Sequence, residues 1–465
     1  MRLFIILKFF IEYFIFYKIN KHRKKSLGRR IREASEKLGV TFVKLGQILS
    51  TRYDLLSKND CLELQKLLDN TSRIPFSVIK KTIQRDFKKP LDEIFLEFEE
   101  KPLASASVSQ VHRAKLHSGE SVAIKIKRPG IDKIVREDIK ALNLIVNFLC
   151  IFSSTLRFLN KVKLIKQMEG WLLQEINFRN EVKNIILFRK DYERYYGTTL
   201  RKNLGQTYFL DVFTKYCTQN IITTNYVKGI TLNKIQEIKQ NPIYDAEKSF
   251  RSYLSSATNA FFTSKNYIFM GDPHPANFIV LPQGGIVGLD YGLLCHIKEK
   301  ELKVMNKLLL AVYTRNLELT IKTTLQMCEV DEKKYFKKVK QDIKEYLHRS
   351  QYEGLGFWFT EMTKIMIKHR IPIPPYLVSF GRCMVILDGV SRHINPNLTT
   401  LDLLGEELRI AMKQKMFNNF REINFESSFY ILSEKLKQSP TKLDSVIEVF
   451  FDDPKTFVKE VKNIL

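Results

Sequence analysis

Four short stretches hold side chains suited to handling phosphate esters, and they occur in a set order along the chain. Val122-Ala123-Ile124-Lys125 places a lysine on an alternating, β-branched segment. Glu181 follows on a helical run, where it can pair with that lysine. Gly271-Asp272-Pro273-His274-Pro275-Ala276-Asn277 sets a carboxylate five residues before a carboxamide. Gly288-Leu289-Asp290-Tyr291-Gly292 supplies a further carboxylate, after the apolar Phe278-Ile279-Val280. Phosphoryl transfer needs little covalent help from a protein, but it needs several negative oxygens neutralised and aligned. A fixed cation, Lys125, and hard-oxygen ligands for Mg²⁺, Asn277 and Asp290, meet that need.

Each stretch is ordinary by itself: a strand lysine, a glutamate on a solvated helix face, a proline-rich turn. Together they reproduce the spacing of a kinase catalytic loop, D-x-x-x-x-N, followed by an Asp-Tyr-Gly where a D-F-G would stand. The order points to ATP binding on a protein-kinase-like fold. Two features of a peptide kinase are missing. No G-x-G-x-x-G precedes Lys125; the corresponding turn is Ala104-Ser105-Ala106-Ser107. No A-P-E follows Asp290, where the chain runs directly into a helical pattern. An ordinary protein kinase is therefore disfavoured.

The elements that must position these residues follow from periodicity. Residues 25–70 are helical in pattern and free of Pro, and residues 102–129 read as a β-hairpin ending at Pro129-Gly130. Residues 131–195 return to helix, Ile221–Thr224 reads as a strand, and most of the remainder is helical. The expected class is α+β: a two-lobe kinase-like fold, predominantly helical, with a helical N-terminal extension. The expected divisions are a membrane-associating segment at 1–25, a helical extension at 26–100, an N-lobe with a helical insert at 101–230 and a helical C-lobe at 231–465.

The 465 residues carry 76 Lys+Arg against 50 Asp+Glu, a net charge of +26. With 44% hydrophobic and 12% aromatic residues, wholesale disorder, a collagenous chain and a short disulfide scaffold are excluded. The charge suits an anionic partner such as nucleotide or acidic lipid. No recognised nucleic-acid module accompanies it, so nucleic acid is not expected as a partner. The six cysteines form no C-x-x-C pair and the eight histidines no ligand pair, which points to a reducing compartment without a zinc site. Residues 3–17 are apolar and aromatic, interrupted by Lys8 and Glu12, and a basic run follows from Lys18 to Lys25. That segment is too short to span a bilayer and lacks a cleavage site. It reads as a helix lying in or dipping into a membrane, its basic tail on anionic headgroups. The alternative is a helix packed on its own domain or on a partner copy.

With these motifs assembled, the chain resembles the UbiB-type atypical kinases, membrane-associated proteins needed for ubiquinone biosynthesis. The likeness runs from about residue 27 to about residue 400. It rests on Lys44-Leu45-Gly46-Gln47, similar to the family's K-x-G-Q signature, and on the Ala-rich 102–114 loop. The VAIKIKRPG, GDPHPAN and LDYG stretches and Leu387-Asp388-Gly389-Val390-Ser391-Arg392 extend it. The resemblance implies that Lys44 and Gln47 sit on a helix folded over the active site. Ala104, Ser105, Ala106 and Ser107 would form the nucleotide-covering loop, and Asn225, Tyr226 and Val227 the hinge beside adenine. Lys125 would contact phosphates and pair with Glu181, Asp272 would occupy the catalytic-loop position, and Asn277 and Asp290 would hold Mg²⁺.

The chain departs from the family pattern at Asn177, where Glu175-Ile176-Asn177 replaces an E-x-D, at Met270-Gly271, and at Ala276 before the Asn. It also lacks the paired hydrophobic C-terminal helices of many bacterial relatives, which shifts an expected membrane role to residues 1–25. The resemblance implies an ATP- and Mg²⁺-dependent kinase or ATPase supporting ubiquinone biosynthesis, acting on or mobilising polyprenyl-phenol lipid intermediates. The alternative is a non-catalytic, nucleotide-sensing scaffold. Implied partners are an anionic membrane, quinone precursors and the biosynthetic enzymes, with a homodimer allowed. The implied location is the cytoplasmic face of a bacterial inner membrane, peripheral or monotopic, rather than an organellar one.

Overall fold

The computed structural model describes residues 2–16, 25–53, 55–67, 73–154, 157–158, 164–196, 207–263, 268–313, 316–349, 354–394 and 400. The basic run at 18–24 and the C-terminal stretch 401–465 lie outside these described residues. The chain forms two compact units, one drawing on residues 1–190, 205–252 and 274–294, the other on 191–204, 253–273 and 295–465. Residues 274–294 rejoin the first unit because two of their strands complete a sheet there.

The first unit opens with α1 (Arg2–Phe10), extended by a π turn at Ile11–Ile15, then α2 (Leu27–Leu38), α3 (Val40–Leu49) and α4 (Lys58–Leu64). Ser26 caps α2 by accepting the Arg29 N–H at 3.2 Å. Gly39, at φ +96°, turns the chain from α2 into α3, a conformation open to glycine because it has no Cβ to clash. Two short helices, α5 (Phe76–Phe87) and α6 (Leu91–Ile94), lead into a sheet.

That sheet runs β1 (Glu97–Phe98), β3 (Ser109–Lys115), β4 (Ser121–Lys127), β6 (Ile221–Asn225), with β2 (Ala104–Ser105) also on β3. All its pairings are antiparallel. The β3–β4 hairpin and the strand at Ile221 are as the sequence predicts. β4 shows how period two sorts chemistry from core. Val122, Ile124 and Ile126 are fully buried and pack on Ile79 and Ile83 of α5 and on Ile94 and Phe95. Lys125 and Lys127 leave by the opposite face, where both lie over the ring of Phe178. A one-residue slip in register would bury the lysines among isoleucines, so the apolar face specifies where Lys125 points.

Gly130 then starts α7 (Ile131–Phe152), followed by α8 (Leu164–Glu175) and α9 (Phe178–Tyr196). A second small sheet takes β5 (Thr207–Tyr208), β10 (Ile286–Gly288), β9 (Phe278–Val280) and β7 (Ile230–Thr231), in that order. α10 (Ile235–Gln240) and α11 (Ala246–Thr263) come between β7 and β8 (Ile268–Met270) in the chain. α1 packs on the same unit: Ile6 joins Leu38, Phe42, Ala141 and Ile145 in one cluster, and Arg2 pairs with the buried Asp138 at 2.6 Å. Of the two sequence expectations for the N-terminal segment, packing on its own domain thus accounts for one face of α1. No helix among the described residues is long and apolar enough to cross a membrane.

The second unit holds β8, β11 (Leu294–His296) and the helices α12 (Glu299–Tyr313), α13 (Leu317–Met327), α14 (Glu332–Arg349), α15 (Leu355–Lys368) and α16 (Pro375–Ile394). α15 and α16 pack closely because Gly356 lies against the backbone of Met384 and Val385. Asp388 of α16 caps α15, its Oδ2 accepting the Gly356 N–H at 2.6 Å and the Phe357 N–H at 3.3 Å. The Thr400 hydroxyl donates to its Oδ1. The Leu387–Arg392 motif therefore has a structural duty: a carboxylate at a helix N-terminus, where orphan N–H groups and the helix dipole favour it.

Candidate active site

In the first unit, three elements distant in sequence bring their charges together. Lys125 Nζ on β4 donates to Glu181 Oε1 on α9 at 2.7 Å and to Asp290 Oδ2 at 3.3 Å. Burial alone would lower the Lys125 pKa, but the charges of Asp290 and Glu181 outweigh it, and the amine is held well above its ordinary value. Burial also acts first on Glu181, pushing it up to about 7 against the pull of Lys125. Burial works against the Asp290 carboxylate as well. There the cations Lys125 and Lys44, with the Gly292 N–H, prevail and its pKa is lowered. At neutral pH the cluster therefore holds a charged amine and a charged Asp290 carboxylate.

Asn177 positions α9. Its Oδ1 accepts the Asn180 N–H at 3.1 Å and its carbonyl accepts the Glu181 N–H at 3.0 Å. The residue that departs from the E-x-D pattern is thus the cap of the helix carrying Glu181, a duty that Asn and Asp perform equally well. The hairpin of β9 and β10 positions the other side. Phe278 pairs with Gly288, and the Leu289 N–H donates to the Asn277 carbonyl at 2.7 Å. Asn277 and Asp290 consequently sit at the same end of that hairpin. Asp290 Oδ1 accepts the Gly292 N–H at 2.8 Å. Tyr291 is buried beside Phe188, and Asn184 donates to its carbonyl at 2.8 Å. The ring passes so near Gly288 that a Cβ there would meet the hydroxyl at 2.7 Å. These contacts aim the Asp-Tyr-Gly turn.

Lys44 of α3 pairs with Glu175 of α8 at 2.5 Å, and its charge reaches Asp290. The extension therefore brings Lys44 beside the cluster. Gln47 turns to the chain instead, donating to the Leu67 carbonyl at 3.2 Å. In the Ala-rich turn, Ala104 and Ser105 form β2, and the Ala106 N–H donates to the Ser109 carbonyl at 2.8 Å. Arg128 braces this turn, donating to the Ala106 carbonyl at 3.1 Å and to the Ser105 hydroxyl at 3.0 Å. Ser107 is buried. At the expected hinge, Asn225 Oδ1 accepts the Asp211 N–H at 2.8 Å and the Tyr226 N–H donates to the Ser121 carbonyl at 2.9 Å. Val227 follows without such a tie among the described contacts.

The GDPHPAN stretch is divided between the units. Asp272 belongs to the second, where the buried Arg382 of α16 donates to its Oδ2 at 2.8 Å. Tyr253 donates to the neighbouring Pro273 carbonyl. Sequence reasoning missed Arg382, Arg128 and Phe178. Each lies far along the chain from what it holds, and no local spacing links them.

Asn277 and Asp290 offer hard oxygens, the donor set that suits Mg²⁺ with nucleotide phosphates completing its shell. Among the described residues no group of three or more His, Cys, Asp or Glu forms a metal cage.

A β-strand lysine paired with a helix glutamate, an Asp-Tyr-Gly turn and an Ala-rich turn in place of a glycine loop define an atypical kinase-like protein. The chain belongs to the ABC1 atypical kinase-like domain family, which matches residues 66–324. Lys44 and Gln47 lie ahead of the matched span. The chain is 26% identical over 453 residues to a probable protein kinase UbiB of Shewanella, covering 95% of this chain and 79% of that one. It is 29% identical over 371 residues to an uncharacterized Synechocystis protein, covering 76% and 87%. It is 30% identical over 312 residues to the chloroplastic Arabidopsis thaliana protein Activity of bc1 Complex Kinase 7, covering 66% and 42%.

Proposed function

We propose that the protein binds ATP with Mg²⁺ in its first unit and turns it over as a kinase or ATPase serving ubiquinone biosynthesis. Its natural targets would be polyprenyl-phenol lipids, phosphorylated or mobilised at a membrane. The observation that carries the proposal is the Lys125 cluster, with Glu181 at 2.7 Å and Asp290 at 3.3 Å. Lys125 would neutralise phosphate oxygens while Glu181 holds its amine in place. Asn277 and Asp290 would hold Mg²⁺, whose charge lowers the cost of the negative charge that builds on the phosphates. Lys44, paired with Glu175, would set how the extension meets the nucleotide. The D-x-x-x-x-N spacing assigns Asp272 the proton of the attacking group. The relatives' names support the kinase reading, and the apolar, basic N-terminus supports the membrane.

Mg²⁺-dependent ATP hydrolysis by the full chain, with anionic vesicles and a phenolic quinone precursor, tests this reading. Asp290→Asn should abolish the turnover, and unchanged hydrolysis would overturn the assignment. Complementation of a ubiquinone-deficient strain by Lys125→Ala would favour the non-catalytic scaffold instead.

A further inference from the structure

Two groups stand out among the exposed apolar side chains of the described residues. Leu3, Phe4, Leu7, Ile11 and Ile15 recur on one face of α1 and its π turn, with Phe4 73% exposed. Leu144, Phe148, Ile151 and Phe152 form a second exposed face on the last turns of α7, with Phe148 57% and Phe152 73% exposed. The two helices run side by side in the same direction. Arg2 sits on Asp138, Ile6 joins the cluster of Ala141 and Ile145, and Phe9 and Phe10 pack on that cluster with Leu149. Their inner faces are already buried, so these outer faces contribute nothing to the core. Contiguous exposed apolar area of this kind marks a surface made to be covered.

The charges nearby say what covers it. The exposed stripe of α7 begins with Lys133, Arg136 and Lys140 before it turns apolar at Leu144. The exposed acid among them, Glu137, lies close enough to Arg2 to act on its charge. Lys8 is exposed on α1. A second copy of this chain would bring the same cations onto these, against the repulsion of a +26 molecule. Anionic headgroups would be attracted to them. The helix from Leu144 to Phe152 covers about 12 Å, comparable to the ~5–10 Å depth that interfacial helices reach.

We propose that α1 and the C-terminal half of α7 form one composite docking surface for an anionic lipid bilayer. The apolar ends enter the acyl boundary and Lys133, Arg136 and Lys140 lie at the headgroups. This deepens the membrane part of the reading above and rests on it. It moves half of the contact out of the N-terminal segment into a helix that leads from the Lys125 strand, since β4 runs through Pro129-Gly130 directly into α7. A lipid-bound α7 would thereby be tied to the active-site sheet.

Vesicle co-sedimentation of the full chain tests the surface, with phosphatidylcholine/phosphatidylglycerol and phosphatidylcholine vesicles as probes. Phe148→Ser with Phe152→Ser, both at exposed positions, should weaken binding to the mixed vesicles by roughly tenfold or more. Arg136→Glu with Lys140→Glu should remove most of the preference for anionic vesicles. Unchanged vesicle binding in the Phe pair would overturn the proposal, as would absence of binding by the wild type. Light scattering that shows a dimer dissociated by the Phe pair, with vesicle binding intact, would reassign the face to a second copy. Circular dichroism of the same preparations reports folding, and fluorescent nucleotide binding separates the two readings. Patch-dependent vesicle binding without nucleotide binding would sink the ATP proposal and leave the docking surface standing.

Discussion

Replacing Glu181 by Gln should change how the protein's stability depends on pH. The Glu181 side chain is 3% exposed beside Lys125. Burial, with the charges of Asp290 and Glu175, raises its pKa from an ordinary 4.5 to about 7, although Lys125 opposes the shift. Below pH 4.5 the carboxyl is protonated in both folded and unfolded chains, and the group costs nothing. As pH rises towards about 7, the unfolded chain releases the proton while the folded chain retains it, so stability falls. The contribution is fully present at the acidic end and lost above the folded pKa. At ~1.4 kcal/mol per pH unit, the rise from 4.5 to about 7 amounts to about 3 kcal/mol. For a unit of this size that is roughly 6–12 °C in Tm.

Gln does not titrate, so the stability of the wild type relative to Glu181→Gln should drop by this amount across the window. Within the cluster, Lys125 is raised and Asp290 lowered, which keeps both from titrating there. More distant groups titrate in both proteins and cancel. Calorimetric Tm measurements at intervals through the window read the difference directly. Parallel Tm curves for the two proteins would refute the reasoning.

Lys44→Ala should cost about 3 kcal/mol, because it takes the cation from a largely buried Glu175, and adding Glu175→Gln should recover most of it. A double-mutant cycle by urea unfolding with no coupling would refute that pair. Asn177→Ala should destabilise α9 by about 1 kcal/mol through loss of its cap, while Asn177→Asp should not, as denaturation midpoints would report. Arg382→Ala should cost about 3 kcal/mol of stability, because it takes the cation from the Asp272 carboxylate, and adding Asp272→Asn should recover part of it. Unchanged urea unfolding midpoints in the single variant would refute that pairing.

Much of the fold was legible because its signals are local. The alternation of Val122, Ile124 and Ile126 against Lys125 and Lys127 specifies a strand with one apolar face, and the structure buries that face against α5. The pairing of Lys125 with Glu181 could be read from motif order, whereas the approach of Asp290 to the same amine at 3.3 Å could not. What stayed hidden depends on long-range return of the chain. The strands within residues 274–294 pair with strands at 207 and 230, and local periodicity carries no signal for such a return. Asn177 looks like a lost carboxylate in sequence and is a helix cap in space.

The sequence by itself determined the strand, the order of the motifs and the absence of a glycine loop, because periodicity and spacing act over a few residues. Tertiary structure alone decided that Lys44 faces Glu175, that Arg382 holds Asp272, and that α1 buries one face and leaves the other to solvent. Those outcomes turn on which surfaces meet after folding. An amphipathic helix records how much apolar surface it owns; only its neighbours determine how much of that surface is already covered.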